Sequence, residues 1–401
     1  MTTDRSIVGQ LSRELTDREV LDFAAIVRLM SEALDGVRIN FFIKDSDGYF
    51  AHVASSSGTE AIIDEPLEAD ESVVLAGLFD RSESSPIEVA NSGCRLKHHP
   101  VLEKDIIIKL SCAGRLLGFI VAGSELVADD EQLNIAILLC SQLALSLAAM
   151  NRRQLLNRDF LIAQHVQKSL LPRAKPSVHN LEYDVVFSAA SHVTGDFYDY
   201  VSLSPTRLAF IVGDIMGKGV GAGLLMANIM PGIRAIISEK QSPEETMRRA
   251  YQHVYDAAPH GTYATMVYGV FDMERSQLLY VNAGHQPVAF LIRHGQETTV
   301  KLLDKGGSIL GLLAKAKPFK IGKENLRSGD IIVCATDGTS DAEDHNRNIF
   351  GEERFREIAA TNSNQSLSAR EIAGQLYESV ETYMALAPQA DDITIAVFKV
   401  R

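Results

Sequence analysis

Apolar positions repeat at helical spacing through one long central stretch, and at strand spacing on either side of it. Over residues 131–171 they recur in three- and four-residue steps, first as Ile137, Cys140, Ala144 and Leu147, then as Leu156, Phe160, Ala163, Val166 and Leu170. That period predicts one long helix. Arg152, Arg153 and Arg158 interrupt the stripe between its halves, and Pro172 and Pro176 end it. The stripe serves either as core packing or as a parallel two-stranded seam between subunits.

Ahead of this helix, Thr16-Asp17-Arg18-Glu19 reads as a capping box that opens an amphipathic helix to about Leu34. Residues 37–43 and 49–54 read as strands joined by the turn Asp45-Ser46-Asp47-Gly48. A mostly polar stretch, 55–100, follows with a short helix expected over 71–79. Residues 106–111 and 115–123 then pair around Ala113-Gly114. Beyond the central helix come a strand over 181–190 and a hairpin turning at Ser204-Pro205-Thr206-Arg207. A helix over 218–239 holds Pro231, which is expected to kink it. Ser242-Pro243-Glu244-Glu245 caps the next helix. Strands are expected over 263–272, 277–282, 287–293, 331–335 and 393–400. Helices are expected over 352–360 and after the capping box Ser368-Ala369-Arg370-Glu371. The class is α+β, divided as 1–126, 127–172 and 173–401.

Composition narrows the partners. The chain of 401 residues is 46% hydrophobic and 23% charged with a net charge of −13, which argues against nucleic acid or an anionic membrane surface as its partner. The four cysteines, Cys94, Cys112, Cys140 and Cys334, are scattered and form no CxxC pair, so free thiols in a reducing compartment are expected. The N-terminus lacks the pattern of a signal peptide, and the apolar run 135–150 falls short of the roughly 20 residues a spanning helix needs. A cytoplasmic protein is expected.

The chemistry gathers on aspartates at strand edges. Asp196 and Asp214 each follow a glycine, Thr336-Asp337-Gly338 comes later, and Asp391-Asp392 precedes the last strand. Taken singly, an Asp beside a Gly is a turn residue. As a set without clustered His or Cys, these residues suit hard cations such as Mg²⁺ or Mn²⁺. His98, His99 and Cys94 are read as loop residues, because adjacent histidines on a regular element point apart.

The blocks GDFYDY, GDIMGKG, YATMVYGVFD, LLYVNAGHQP, GDIIVCATDGTSDA and ADDITI occur in that order. Together they resemble the SpoIIE-like, RsbU-type branch of the bacterial metal-dependent (PPM, type 2C) protein phosphatases. The resemblance implies an αββα sandwich holding two Mn²⁺ or Mg²⁺ ions. Asp214 would bridge them, the backbone carbonyl of Ile215 would complete the second site, and Asp337 and Asp391 would bind the first. Asp196 would serve directly or through water, with Asp199 and Asp392 as supporting candidates. Two ions about 3.5–4 Å apart lower the pKa of a shared water, so no covalent nucleophile is needed. Where other branches carry DGHG, this chain has Asp214-Ile215-Met216-Gly217. His285 is therefore either a replacement proton donor or a structural residue at a tight turn, and Lys218 either meets phosphate or is an exposed helix-start lysine. Thr194 stands where the family usually has glycine, and Thr339-Ser340-Asp341 replaces Val-Thr-Glu.

The phrase GRLLGFIVAGS before the long helix resembles the end of a GAF domain, which implies a sensor with an unknown small ligand or protein partner. AQHVQKSLLPRAKP resembles the regulatory helix that opens the phosphatase domain. The implied function is a phosphoserine/phosphothreonine protein phosphatase gated by the sensor and dimeric through the linker helix. Its implied substrate is a phosphorylated anti-sigma-factor antagonist in a partner-switching pathway. The alternative is a silent binding module that captures a phosphoprotein or kinase without turnover.

Overall fold

Strands that are apolar at every position need cover on both faces, and the second half of the chain holds several of them. In the computed structural model the described residues are 22–44, 50–56, 87–89, 95–96, 99–100, 105–113, 115–123, 126 and 130–401, the last span without 260, 288, 295–297, 314–316 and 363–365. The chain divides into two compact units, Met1–Asn157 and Arg158–Arg401.

The described part of the first unit begins with helix α1 (Phe23–Ala33), capped by the Asp22 carboxylate, which accepts a hydrogen bond from the Ala25 N–H. The helix therefore starts after Asp22. The expected capping box at 16–19 lies outside the described residues, as do the turn 45–48, the helix expected over 71–79, Cys94 and His98. Strands β1 (Ile39–Lys44), β2 (Phe50–Ser55), β3 (Ile87–Val89), β6 (Ile106–Cys112) and β7 (Arg115–Ala122) form an antiparallel sheet in the order β2-β1-β7-β6-β3. A two-stranded pair, β4 (Arg95–Leu96) and β5 (His99–Pro100), falls where no strand was expected, and places His99 in a strand. Helix α2 (Asp130–Leu170) is unbroken over 41 residues. Its Leu139, Leu143 and Leu147 pack with Ile26 and Met30 of α1 and with Phe41, Ile108 and Ile120 of the sheet. Each such side chain stabilises the fold by roughly 1.5–3 kcal/mol of burial.

The second unit is a four-layer sandwich. Strands β8 (Leu181–Ser188), β9 (Phe197–Ser204) and β10 (Arg207–Ile215) lead into helices α3 (Val220–Ser238) and α4 (Pro243–Ala257). Strands β11 (Ala264–Asp272), β12 (Gln277–Ala283), β13 (Phe290–Arg293), β14 (Thr299–Leu302), β15 (Gly322–Asn325) and β16 (Ile331–Ala335) follow, then helices α5 (Glu352–Asn362) and α6 (Ala369–Met384) and strand β17 (Ile393–Val400). One sheet runs β15-β12-β11-β10-β9 and the other β14-β13-β16-β17-β8. Side chains alternate across each strand. Leu208, Phe210 and Val212 of β10 meet Ala396, Phe398 and Val400 of β17 between the sheets. Ala209, Ile211 and Ile215 face α3 and α4, while Ile393, Ile395 and Val397 face α5 and α6. That is the expected αββα layering. Ser242 and Ser368 cap α4 and α6 as the sequence predicts, Ser368 with a complete capping box. Helix α3 holds Pro231 within it, as expected.

Among the described residues two helices, Glu131–Leu170 and Val220–Ser238, are long and apolar enough by length and composition to cross a membrane. The run judged too short from sequence is thus part of a longer helix. In α3, Met226, Ile229, Met230 and Ile233 are all buried in the sandwich core. Cys112, Cys140 and Cys334 are free thiols, and burial pushes Cys140 up to about 12 and Cys334 higher still.

Candidate metal centre

The strand order brings four separate chain segments to one end of the sandwich. β10 ends on Asp214 and Ile215, β16 stops two residues before Asp337, β17 starts just after Asp391-Asp392, and Asp196 immediately precedes β9. Two hydroxyls join the two sheets there. Thr336 and Thr394 donate to Asp196 Oδ2 at 2.7 and 2.5 Å, and the Thr394 N–H donates to Thr336 Oγ1 at 2.9 Å. A side chain on Gly195 would lie 2.9 Å from the Ile215 carbonyl oxygen and 3.1 Å from Asp214 Oδ1, and one on Gly338 would lie 1.9 Å from the Asp392 carbonyl oxygen. The glycines beside the acids are therefore needed for close approach of backbone to carboxylate.

Asp392 organises the loop ahead of β9. Its Oδ1 accepts the Ala190 N–H at 2.8 Å, and its Oδ2 accepts the Thr194 hydroxyl and, at 3.2 Å, the Gly195 N–H. Thr194 Oγ1 also accepts the Asp196 N–H at 3.0 Å. The Thr194 hydroxyl thus holds two of the acids. Gln167, buried near the end of α2, clasps the same residue: its amide donates to the Thr194 carbonyl at 2.7 Å and accepts the Thr194 N–H at 3.0 Å.

The acids raise one another's proton affinity. Burial first, then the charges of Asp337, Asp391 and Asp392, push Asp214 up to about 7. Burial and then Asp214 hold Asp196 well above the usual carboxylate range, with the two threonine hydroxyls pulling the other way. Burial and then Asp391 raise Asp337. Lys218 supplies the opposing charge: its ammonium lies 2.8 Å from Asp391 Oδ2 and donates to the Ala390 carbonyl at 2.9 Å. Lys218 is exposed, as its place before a helix predicts, but it is paired.

Of the two supporting candidates, only Asp392 sits among these acids. Asp199 is buried beneath the first sheet's edge and pairs with Arg234 of α3, whose other nitrogen donates to the Leu170 carbonyl at 2.7 Å. It fastens β9 to α3 and to the end of α2. His285 is fully buried, and burial pushes its pKa down to about 4. Its Nδ1 pairs with Thr265 Oγ1 at 2.9 Å, and its buried Nε2 has no hydrogen-bond partner among the described residues. Thr265 is the register partner of Asp214. The Asn282 side chain closes the turn, accepting the His285 N–H at 2.7 Å and donating to the His285 carbonyl at 3.1 Å. A neutral, buried imidazole there supports the strand ends from below and offers no proton to solvent.

As a donor set, clustered carboxylates and a strand-end carbonyl with one lysine opposite them suit a hard divalent cation. Among the described residues, however, no three His, Cys, Asp or Glu side chains converge at ligand spacing. The hydrogen bonds explain this, since Asp196 is drawn to two threonines, Asp392 to the Thr194 loop and Asp391 to Lys218.

Residues 204–401 match the family described as Stage II sporulation protein E (SpoIIE). The chain is 28% identical over 266 residues to Protein IcfG of Synechocystis sp., covering 59% of this chain and 40% of that protein. It is 24% identical over 247 residues to the phosphoserine phosphatase RsbU of Bacillus subtilis, covering 62% of this chain and 71% of that protein. The chain thus spans less than half of the first relative's length. Among solved structures, the SiaA-PP2C domain of Pseudomonas aeruginosa superposes with a TM-score of 0.52 at 20% identity, covering 63% of this chain and 98% of that domain. The likeness is one of fold, the α+β sandwich of the PPM phosphatases.

Proposed function

With residues 204–401 in the SpoIIE family, we propose that the chain is a metal-dependent phosphoserine/phosphothreonine protein phosphatase. Asp196, Asp214, Asp337, Asp391 and the Ile215 carbonyl would hold two Mn²⁺ or Mg²⁺ ions. The observation that carries this reading is the meeting of acids from four chain segments at one sandwich end, where burial first and then the neighbouring carboxylates raise Asp214 to about 7. Bound ions would neutralise the phosphate and activate water for in-line attack. The chain's own part is positional. Thr336 and Thr394 hold Asp196 between the sheets, and Thr194 and Asp392 hold the loop that carries it, so that Asp214 and its neighbours would be placed to hold a cation. No covalent step is needed, and the thiols of Cys140 and Cys334 are buried and protonated.

The substrate in this reading is a phosphorylated anti-sigma-factor antagonist in a partner-switching pathway, in the cytoplasm. The first unit acts as a GAF-like sensor for a small ligand or protein. Helix α2 pairs with a second copy: Leu138, Leu145, Leu155, Ile162 and Val166 are exposed along it at seven-, ten-, seven- and four-residue steps, the spacing of a two-stranded seam.

The test is phosphate release from a phosphoserine protein by the full chain, with Mn²⁺ or with EDTA. Turnover with Mn²⁺, lost in EDTA and at least about a hundredfold lower in Asp337→Ala, is expected. The absence of a closed trio of ligands favours one rival, a module that binds the phosphoprotein unchanged. Binding of the phosphoprotein without turnover in Mn²⁺ would establish that rival.

A further inference from the structure

Both oxygens of Asp391 already have partners. Oδ2 lies 2.8 Å from the Lys218 ammonium, and Oδ1 accepts the Asp392 N–H at 2.9 Å. A divalent ion on Oδ2 would stand against that ammonium, and two cations on one carboxylate oxygen repel. We propose that Lys218 is a built-in competitor for the metal: its ammonium and a divalent cation are alternative partners of Asp391, and metal binding frees Lys218 from that carboxylate. The proposal rests on the metal-centre reading above and adds a specific obstacle to loading.

The surroundings suit an exchange of this kind. The Lys218 side chain is 63% exposed and that of Asp391 32%, so the pair is worth no more than an ordinary surface salt bridge and opens readily. Lys218 sits between Gly217 and Gly219, both at positive φ, directly ahead of α3. Nothing lies within 4 Å of where a side chain on either glycine would begin. The two glycines beside Lys218 thus have open space on their side-chain side. The carbonyl of Ala390, the ammonium's second partner, belongs to the same segment as Asp391, so one movement breaks both contacts. The pair also accounts for the open ligand set, because it draws Asp391 toward Lys218.

The experiment has two arms on the full chain. In the first, Mn²⁺ binding is measured by calorimetry for the wild type and for Lys218→Met, which keeps the aliphatic stem. The variant is expected to bind Mn²⁺ about fivefold more tightly, the equivalent of one surface ion pair. In the second, brief acetylation of lysines is read by mass spectrometry with and without saturating Mg²⁺, using exposed Lys240 as the reference. Acetylation of Lys218 in the wild type is expected to rise with Mg²⁺ while that of Lys240 stays level. Equal Mn²⁺ affinity in the two proteins overturns the proposal and leaves the metal centre standing. So does tighter binding in the variant with Lys218 labelling indifferent to Mg²⁺, since a long-range field gives that result without displacement. If Mn²⁺ binds neither protein, the metal-centre reading falls, and the proposal with it.

Discussion

His285 shows what burial does to a titratable side chain that has no charge partner. Its folded pKa of about 4 lies below the 6.5 of an ordinary histidine. Between those values the unfolded chain takes up a proton that the folded chain refuses. His285 therefore contributes stability that is present above about pH 6.5 and lost as the pH falls toward 4, on the order of 3 kcal/mol in full. Urea unfolding of wild type and His285→Gln at about pH 7.5 and pH 5 checks this. The wild type is expected to lose more stability than the variant between the two, and parallel losses would contradict it. The acids of the site were legible in sequence because Asp214, Asp337 and Asp391 sit beside glycines or acids at the ends of apolar runs. Thr336 and Thr394 were not, because a threonine in or just after an apolar strand reads as a strand former. Their hydrogen bonds to Asp196 cross 140 and 198 residues of chain. Gln167 and Arg234 were hidden for the same reason, each reading as a polar position on a helix.

The elements that place these residues are held by the rings between the sheets. Phe398 of β17 lies 4.3 Å from the Phe210 ring and 5.1 Å from that of Phe271, centroid to centroid. All three are buried. Replacing Phe398 with alanine leaves a cavity where the two sheets meet and is expected to cost about 3–5 kcal/mol. Thermal unfolding should show the sandwich transition well below that of the wild type, and an unchanged transition would mean that the sheets do not depend on this contact. Strands buried on both faces, such as β10, β16 and β17, were legible from their unbroken apolar runs. β4, β5 and β3 were not, since strands of two or three residues carry no period to read. Thr16 lies outside the described residues, within which α1 starts after Asp22, whose carboxylate accepts the Ala25 N–H.

At the scale of the whole molecule, α2 leaves a row of leucine, isoleucine and valine side chains exposed, the pattern that supports a second copy along that helix. Light scattering of the full chain is expected to give a dimer, and Leu155→Glu with Ile162→Glu is expected to give a monomer. A monomeric wild type at the same concentration would contradict the seam. The central claim is that the acids at the sandwich end are a metal centre, and calorimetric titration of the full chain with Mn²⁺ tests it most directly. Saturable binding of about two ions per chain, lost when Asp214 is replaced by alanine, is the predicted result. No binding, or binding that survives the loss of Asp214, would contradict it.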